Sequence, residues 1–486
     1  MLFNSLEFLI YLPITFALYW LTPAKWRHLP LLVASLYFYM YWNPTLVFLI
    51  LFTTAVSYLS GILLEKYSER QGVKKLILAM TLIACLGVLL FFKYFNFLYD
   101  SFFDLVTLFG GEGPKGYFTI LLPVGISFYT FQTASYVVDV YRGSEKAEHN
   151  FLYFFLFVTF FPQLVAGPIE RPGALLPQLH AEKRLRDVDF SEAFRYMLLG
   201  FFKKIAIADA IGILVNSVYE SPAEANGPAV ILATFLFAIQ IFCDFSGYSD
   251  IAVGCALLFG VRLSENFNEP YTAKSIKEFW NRWHLSLSKW LRDYIYFPLG
   301  GSRVAPFRRA LNIFIVFFVS GLWHGASYNF IIWGLLHALF QVVGGYTLPL
   351  RDKLWARLGK KPEDRLVVHA RRVGVFLLVA FTWVFFRADT PETALLLLKT
   401  ALTEWSLVGL FTATADALSL TLPMALYTLF VLALFPIMEK LKKKEAPFKS
   451  EGARMLFYAV MLWCIITVWI YLQAQDVGSS FIYFQF

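Results

Sequence analysis

Long apolar runs separated by short polar segments set the pattern of this chain. A helix needs about 20 mostly apolar residues to cross a bilayer, and some of these runs are long enough to cross it twice. The pattern therefore predicts an all-α polytopic membrane protein with roughly 11–13 transmembrane helices, plus re-entrant and interfacial helices. The runs cover residues 5–22, 29–64, 75–99, 118–140, 151–168, 192–218, 228–261, 310–346, 372–387, 416–437 and 454–473.

Composition and charge support a membrane setting. The 486 residues are 58% hydrophobic and only 16% charged, whereas soluble domains carry about 25% charged residues. The net charge of +8 does not indicate nucleic-acid binding, because Lys and Arg concentrate in short segments between the apolar runs. That is the positive-inside pattern, and it places these segments in the cytoplasm. They are 25–27, 66–75, 171–186, 274–309, 351–372 and 440–449.

The segment 262–309 differs from the rest of the chain. It mixes charged residues, several Trp and Tyr residues and a histidine. It is too polar for a helix that faces lipid and too aromatic for a free loop. Such a segment is tolerated at membrane depth only where it is buried in protein or lines a wet cavity. We therefore expect short helices packed at the cytoplasmic mouth of a chamber.

The chain contains no GxSxG, HExxH, Walker or GxGxxG motif, so its chemistry must rest on other residues. His324 lies in an apolar stretch that is interrupted by small residues, which let a backbone or a ligand approach closely. Burial disfavours a charged imidazole, so His324 is expected to be neutral, as a general base must be. Trp323 and Tyr328 would supply flat walls. An equally good interpretation is that His324 only bonds a neighbouring helix.

Two other histidines are less distinctive. His284 lies among polar residues that include Asn281 and Asp293, and by itself it fits a solvated histidine on an interfacial helix. Asp293 is expected to pair with the adjacent arginine. His337 lies within an apolar run, where a satisfied core histidine is the favoured interpretation.

The stretch FCDFSGYSD (242–250) places Asp244, Ser246 and Asp250 inside a long apolar run. Carboxylates at that depth are costly and need partners. They would either line a chamber or hold helices together, and structural hydrogen bonding is the favoured interpretation. The four cysteines show no CxxC spacing, so no metal site is expected.

These segments together carry a family resemblance. RWHLSLSKWLRDYIYFPLGGSR followed by VSGLWHGASYNFIIWG resembles the membrane-bound O-acyltransferase (MBOAT) family, and more narrowly its alginate O-acetyltransferase-like subgroup. The resemblance runs nearly the full length of the chain. Further similar segments are FFPQLVAGPIERP (160–172), FCDFSGYSDIAVG (242–254), SENFNEPY (264–271), WVFFRA (383–388) and the terminal FIYFQF.

The resemblance implies a single MBOAT-like membrane domain over 1–486, built as a ring of helices around a central chamber open to both faces. Residues 262–346 would form its catalytic core, and 388–486 its C-terminal helices and extracytoplasmic tail. His324 maps onto the family's catalytic histidine and His284 onto a second, functionally important one. Trp323, Tyr328, Asn281, Asp293, Asp244 and Ser246 are the expected chamber or supporting residues.

The resemblance also implies acetyl-CoA as the donor and a bacterial cytoplasmic membrane as the location. The acetyl group would pass to a hydroxyl of a cell-envelope or secreted polysaccharide, either directly or through an extracytoplasmic acetyltransferase partner. Lys289, Arg292 and Arg303 are candidates for holding the CoA phosphates, although ordinary positive-inside charge is the favoured explanation for them. The terminal FIYFQF, if exposed, would be a docking element for the partner.

Two other functions fit parts of the pattern. A transporter or flippase of lipid-linked sugars would explain the intramembrane polar residues, but no internal repeat of the kind common in transporters is evident. A non-catalytic scaffold of an exopolysaccharide export complex would explain the multi-pass architecture without assigning chemistry to His324.

Overall fold

The computed structural model describes residues 1–111, 118–165, 167–405, 410–442, 448, 450–474 and 481–482. Regular structure in these ranges is helical throughout, which confirms the all-α prediction. The α-helices are α1 Leu6–Leu21, α2 His28–Met40, α3 Val47–Lys66, α4 Gln71–Leu89, α5 Phe95–Leu108, α6 Ile126–Arg142, α7 Phe151–Thr159, α8 Phe161–Leu164, α9 Pro172–His180, α10 Phe190–Phe201, α11 Ala210–Tyr219, α12 Gly227–Leu258, α13 Ile276–Trp280, α14 Leu285–Leu291, α15 Pro306–His324, α16 Tyr328–Arg357, α17 Arg365–Arg387, α18 Pro391–Thr403, α19 Leu410–Ala417, α20 Leu422–Lys442 and α21 Glu451–Ala474.

Eight described helices are long and apolar enough to cross a membrane, and the shorter α1 is also apolar. They span Pro44–Lys66, Gln71–Leu108, Gly227–Leu258, Pro306–His324, Tyr328–Arg357, Arg365–Arg387, Leu422–Lys442 and Glu451–Ala474.

The prediction of roughly 11–13 spans included apolar runs that are not among these eight candidate helices. The run at 151–168 breaks into α7 and α8, and α7 has only nine residues. At about 1.5 Å per residue, α7 is far too short to cross the bilayer. The run at 192–218 is helical, but it carries Lys203, Lys204 and Asp209 inside a π-helical segment, Phe202–Asp209. Charge, rather than a loss of helicity, sets this run apart from the eight spans.

The described chain forms two compact units. The first comprises Met1–Met197 and Ile251–Ser264. Within it, small polar residues bring α3 close to its neighbours, as is usual for helices that pack in lipid. The hydroxyl groups of Ser60 and Thr81 are 2.5 Å apart and join α3 to α4. Gly61 leaves room for the phenol of Tyr136 on α6, whose oxygen accepts a hydrogen bond from the Glu148 N–H at 2.9 Å.

The second unit comprises Leu198–Asp250 and Glu265–Phe486. Its α15 and α16 form a hairpin that is closed by glycines. A Cβ added at Gly321 would lie 2.3 Å from the Phe330 carbonyl oxygen, and one at Gly334 would lie 2.3 Å from the Phe317 carbonyl oxygen. The two backbones therefore touch directly. This bears out the expectation that small residues around His324 allow close approach.

The glycine contact predicts a sharp effect of one methyl group. Gly321→Ala forces the Phe330 backbone away, and we expect it to lower the free energy of unfolding by about 1–3 kcal/mol. The thermal unfolding of the detergent-solubilised protein measures this loss. Gly345→Ala is the matched control on α16, because a Cβ there meets nothing within 4 Å. If both variants unfold at the same temperature, the backbone contact does not set the hairpin geometry.

Candidate active site

His324 is the last residue of α15, and the chain ends the helix directly after it. Gly325 is extended, with φ near −170° and ψ near 156°. Ser327 then caps α16, because its hydroxyl accepts a hydrogen bond from the Asn329 N–H. A Cβ at Gly325 would lie 2.2 Å from the Phe330 ring, so glycine is required for the turn to close. The sequence WHGAS thus places the imidazole at a tight helix–helix turn.

Aromatic rings surround the imidazole of His324, which is only 4% exposed. Their centroids lie 4.9 Å away for Trp323, 4.8 Å for Trp333 and 5.4 Å for Phe386, and all three rings stand edge-on to it. This apolar shell disfavours a charged imidazole. Trp333 and Phe386 had no predicted role, although Phe386 lies in the WVFFRA segment of the resemblance.

His284 is also buried, contrary to its interpretation as a solvated histidine. Its ring centroid lies 4.6 Å from that of Phe245 and 5.6 Å from that of Trp323. The Trp323 indole therefore contacts the imidazoles of both histidines. His284 precedes α14, outside the eight candidate spans. Burial lowers its pKa to about 3, so its imidazole stays neutral at any physiological pH.

The backbone of His284 is left-handed, with φ 43° and ψ 58°. A non-glycine residue in this region costs about 1–3 kcal/mol, so the surrounding structure must enforce it. Asn266 does so: its carbonyl accepts the Leu285 N–H at 2.9 Å, and its side-chain oxygen accepts the Ser286 hydroxyl at 2.7 Å. The Asn266 amide in turn donates to the Ser249 hydroxyl at 3.3 Å. Sequence reasoning missed Asn266, although it lies in the SENFNEPY segment.

His337 has the character of a core residue, as the sequence suggested. The Trp280 indole N–H donates to its Nδ1 at 3.2 Å, and its Nε2 lies 3.0 Å from the Thr382 hydroxyl. That hydroxyl donates its own proton to the Val379 carbonyl at 2.7 Å. The bonding pattern thus assigns the ring proton of His337 to Nε2, and both nitrogens are occupied. The ring lies 5.0 Å from Trp333 and supports the shell around His324.

A cavity of about 580 Å³ lies beside this cluster. Lys289 and Arg292 line one part of it, and Trp280 and Phe317 line another. Trp280 packs against Trp333 at 5.6 Å, so the cavity wall adjoins the shell of His324. Asn281 also lines the cavity, whereas Arg303 is not among its lining residues. The cavity thus combines cationic and apolar walls.

The other predicted residues take varied positions. Asp293 accepts a hydrogen bond from the Arg292 Nε at 2.8 Å, so the predicted pairing is confirmed. Ser246 is fully buried on α12. Tyr328 is 47% exposed, so much of its side chain does not form part of a buried wall.

Asp244 belongs to a buried charge network. Its carboxylate lies 2.7 Å from the Lys204 ammonium, which also bonds Asp209 at 2.6 Å. Asp250 lies 3.1 Å from Lys203 and 2.8 Å from Lys442. These pairs tie the π-helical segment to α12 and α20. The two carboxylates therefore hold helices together, which was the favoured interpretation, and their lysine partners were not anticipated.

Residues 481–482 begin the FIYFQF tail. Phe481 and Ile482 are buried, so the expected exposure of the tail is wrong for these two residues. The Ile482 N–H donates to Asp244 at 2.9 Å, and the Phe481 ring lies 4.8 Å from that of Tyr248. The other tail residues, 483–486, lie outside the described part of the chain.

The charge network predicts a large cost for one neutralised carboxylate. Asp250→Asn leaves the buried Lys203 with Glu439 as its carboxylate partner and removes the Asp250 partner of the partly buried Lys442, so we expect a loss on the order of 3 kcal/mol in stability. Thermal unfolding in detergent checks this. Asp187→Asn removes an exposed partner of Arg186 and should be close to neutral.

A second variant tests whether charge balance causes the effect. Asp250→Asn combined with Lys442→Gln removes one charge of each sign, and it should recover part of the lost stability. Equal unfolding of Asp250→Asn and Asp187→Asn would show that the network contributes nothing.

Comparison with known proteins identifies the family of the chain. The model of the MBOAT, membrane-bound O-acyltransferase family, matches residues 144–362, which include both buried histidines, His284 and His324. Relatives more than 30% identical cover most of the chain. The chain therefore belongs to the MBOAT family, and it is a multi-pass membrane O-acyltransferase.

Three relatives that are similar to most of this chain are named as O-acetylases or O-acetyltransferases. The chain is 39% identical over 396 residues to the probable alginate O-acetylase AlgI of Pseudomonas aeruginosa, covering 81% of this chain and 73% of that protein. It is 35% identical to the protein of the same name from Pseudomonas putida over the full length of both. It is 31% identical to the peptidoglycan O-acetyltransferase of Helicobacter pylori, covering 82% of this chain and 79% of that protein.

Proposed function

We propose that this enzyme uses cytoplasmic acetyl-CoA for the O-acetylation of a cell-envelope or secreted polysaccharide, with His324 as the general base. The main support is the geometry of His324: a buried imidazole in an aromatic shell, adjoining a cavity with cationic and apolar walls. A neutral imidazole is the side chain best suited to remove a hydroxyl proton near pH 7.

In the proposed reaction, His324 accepts one proton and later donates it. The acceptor hydroxyl oxygen attacks the thioester carbonyl while His324 takes its proton. The tetrahedral intermediate then collapses, the C–S bond breaks, and the proton on His324 passes to the departing CoA thiolate. General-base assistance of this kind contributes about 10²–10⁴-fold to the rate. The aromatic shell excludes water, which would otherwise compete as the acceptor.

His284 acts beside this step rather than as a second base. Burial lowers its pKa to about 3, and its place beside Trp323, rather than at the α15–α16 turn, favours a positioning role. The His284 ring contacts the Trp323 indole, which in turn contacts the His324 ring, so His284 orients that indole. The constrained loop held by Asn266 supports this positioning role.

The cavity beside Trp280 is the proposed donor site. Lys289 and Arg292 would hold the CoA phosphates, since both cations line it. The apolar walls at Trp280 and Phe317 would take the acyl-bearing arm and direct it toward Trp333 and His324. Arg303, which is exposed and does not line the cavity, is left as ordinary positive-inside charge.

The names of the relatives suggest what kind of polymer accepts the acetyl group. Their names give alginate and peptidoglycan as acetylated polymers, and a teichoic acid D-alanyltransferase of Bacillus subtilis is 32% identical over 45% of this chain. A bacterial cytoplasmic membrane therefore fits, with the polymer on the outer side. Transfer proceeds directly or through an extracytoplasmic acetyltransferase partner.

Replacement of His324 is the decisive test. We expect His324→Ala to reduce CoA release from acetyl-CoA by purified protein, and polymer acetylation in cells, by about 10²–10⁴-fold. His369→Ala is the matched control, because His369 is exposed. Membrane insertion and thermal unfolding are measured for both variants, so that loss of fold is not mistaken for loss of chemistry.

Other outcomes identify the competing functions. A transporter of lipid-linked sugars would release no CoA even as the wild-type protein. A scaffold would leave polymer acetylation unchanged in the inserted His324→Ala variant. Either result would contradict the proposal.

The donor site has its own test. Lys289→Ala combined with Arg292→Ala should raise KM for acetyl-CoA about tenfold or more while leaving kcat within about twofold, because the loss of even one charge-assisted phosphate contact costs roughly 1.5–3 kcal/mol. Arg303→Ala should leave both constants unchanged. A KM shift of equal size for Arg303→Ala would assign the effect to general surface charge instead of the cavity.

A further inference from the structure

The first unit contains a separate cavity of about 280 Å³. It lies where the connection between α1 and α2, the C-terminal end of α9 and the residue Val261 come together. Its cationic lining residues are Lys25, Arg27 and Lys183, with the histidines His28 and His180 beside them. Glu182 also lines it but is exposed. Nothing in the proposed acyl transfer uses this cavity.

Arg27 is held in one orientation at this cavity. Its Nε donates to the Thr22 carbonyl at 3.0 Å, and one terminal nitrogen donates to the Lys183 carbonyl at 2.7 Å. The guanidinium also lies over the Trp20 ring, 4.7 Å from its centroid. These contacts use only part of the five-donor fork of an arginine. The cation is therefore pre-organised, and an anion that binds it pays little ordering entropy.

Lys183 places a second cation in a partly desolvated position. Its stem packs over Gly260, where an added Cβ would lie 2.8 Å from the lysine Cδ. Burial lowers the pKa of Lys183 to about 8. A bound anion would restore the charged form, because an opposite charge offsets desolvation.

A stack of three rings forms another wall. Tyr153 lies between His28, at a centroid distance of 4.4 Å, and His180, at 3.9 Å. The His180 Nε2 lies 2.7 Å from a Glu148 carboxylate oxygen, so this carboxylate is engaged away from Arg27 and Lys183. The rings give the cavity a rigid, amphipathic side.

The surroundings point to the membrane interface. α1 ends next to the cavity, and its outward side carries strongly exposed apolar residues such as Leu18, Leu21, Ile10 and Ile14. Trp26, in the connection that follows, is about half exposed. Tryptophan and tyrosine near helix ends are typical of the headgroup region of a bilayer. An acyl chain could thus lie along α1 while its headgroup reaches the cavity.

We propose that this cavity binds the phosphate group of an anionic phospholipid, with Arg27 and Lys183 as its anion-binding residues. Basic pockets next to apolar helix surfaces suit lipid phosphates, since charge and acyl chain are recognised together. The same cations would also accept a phosphate carried by a soluble molecule, so the experiment must separate the two sources.

The test uses the full-length protein in neutral detergent. Phosphatidylglycerol, phosphatidylcholine and inorganic phosphate are titrated separately while thermal unfolding is followed. We expect phosphatidylglycerol to raise the melting temperature saturably by about 3–6 °C, with little effect from phosphatidylcholine. Lys183→Gln should weaken the apparent affinity for phosphatidylglycerol about tenfold or more, the loss expected for a charge-assisted hydrogen bond. Lys183→Arg should largely restore it.

Lys146→Gln is the matched control, because Lys146 is an exposed lysine in the same unit that does not line the cavity. The lipid-free melting temperature of each variant shows whether its fold is intact. If inorganic phosphate stabilises the protein as strongly as the lipid does, and Lys183→Gln abolishes both effects, the lipid assignment is overturned in favour of a soluble phosphate ligand. If phosphatidylglycerol acts equally on wild type and Lys183→Gln, the site itself is overturned.

Discussion

Lipid offers no hydrogen bonds to a membrane-spanning helix, so buried polar groups in this protein depend on partners within the chain. Asp244 and Asp250 meet lysines from other helical segments. Asn266 satisfies the backbone of the loop that carries His284. Burial likewise disfavours a charged imidazole at His284. The same constraint therefore acts on stability and on the candidate site.

The two buried histidines meet this constraint in different ways. His324 lies at a turn between two long helices that glycines bring together, and a shell of aromatic rings surrounds it. His284 lies on a constrained loop whose left-handed backbone is enforced by hydrogen bonds that Leu285 and Ser286 donate to Asn266. Trp323 contacts both rings and makes one cluster of them. Helix packing and loop hydrogen bonding therefore fix a single aromatic centre.

Some of this was accessible from the sequence. The apolar runs predicted a helical membrane protein, and the small residues around His324 predicted the close approach of α15 and α16. Burial of His284 could not be read from its polar neighbours, because it depends on rings such as Phe245 that lie far away in the sequence. The lysine partners of Asp244 and Asp250 were missed because nothing in a single apolar run shows which charge on another helix will face it. A re-entrant or flat segment was expected among the apolar runs between 117 and 171, but the position of the break between α7 and α8, at Phe160, was not.

The glycine crossing of α15 and α16 has a consequence for substrate size. The carbonyl of Phe317 rests where a side chain at Gly334 would be, and the ring of Phe317 forms part of the cavity wall. Because the backbones of these two helices touch, the backbone behind that wall cannot move back unless the helices separate. If the cavity takes the donor as proposed, the crossing limits how far this side of it can widen.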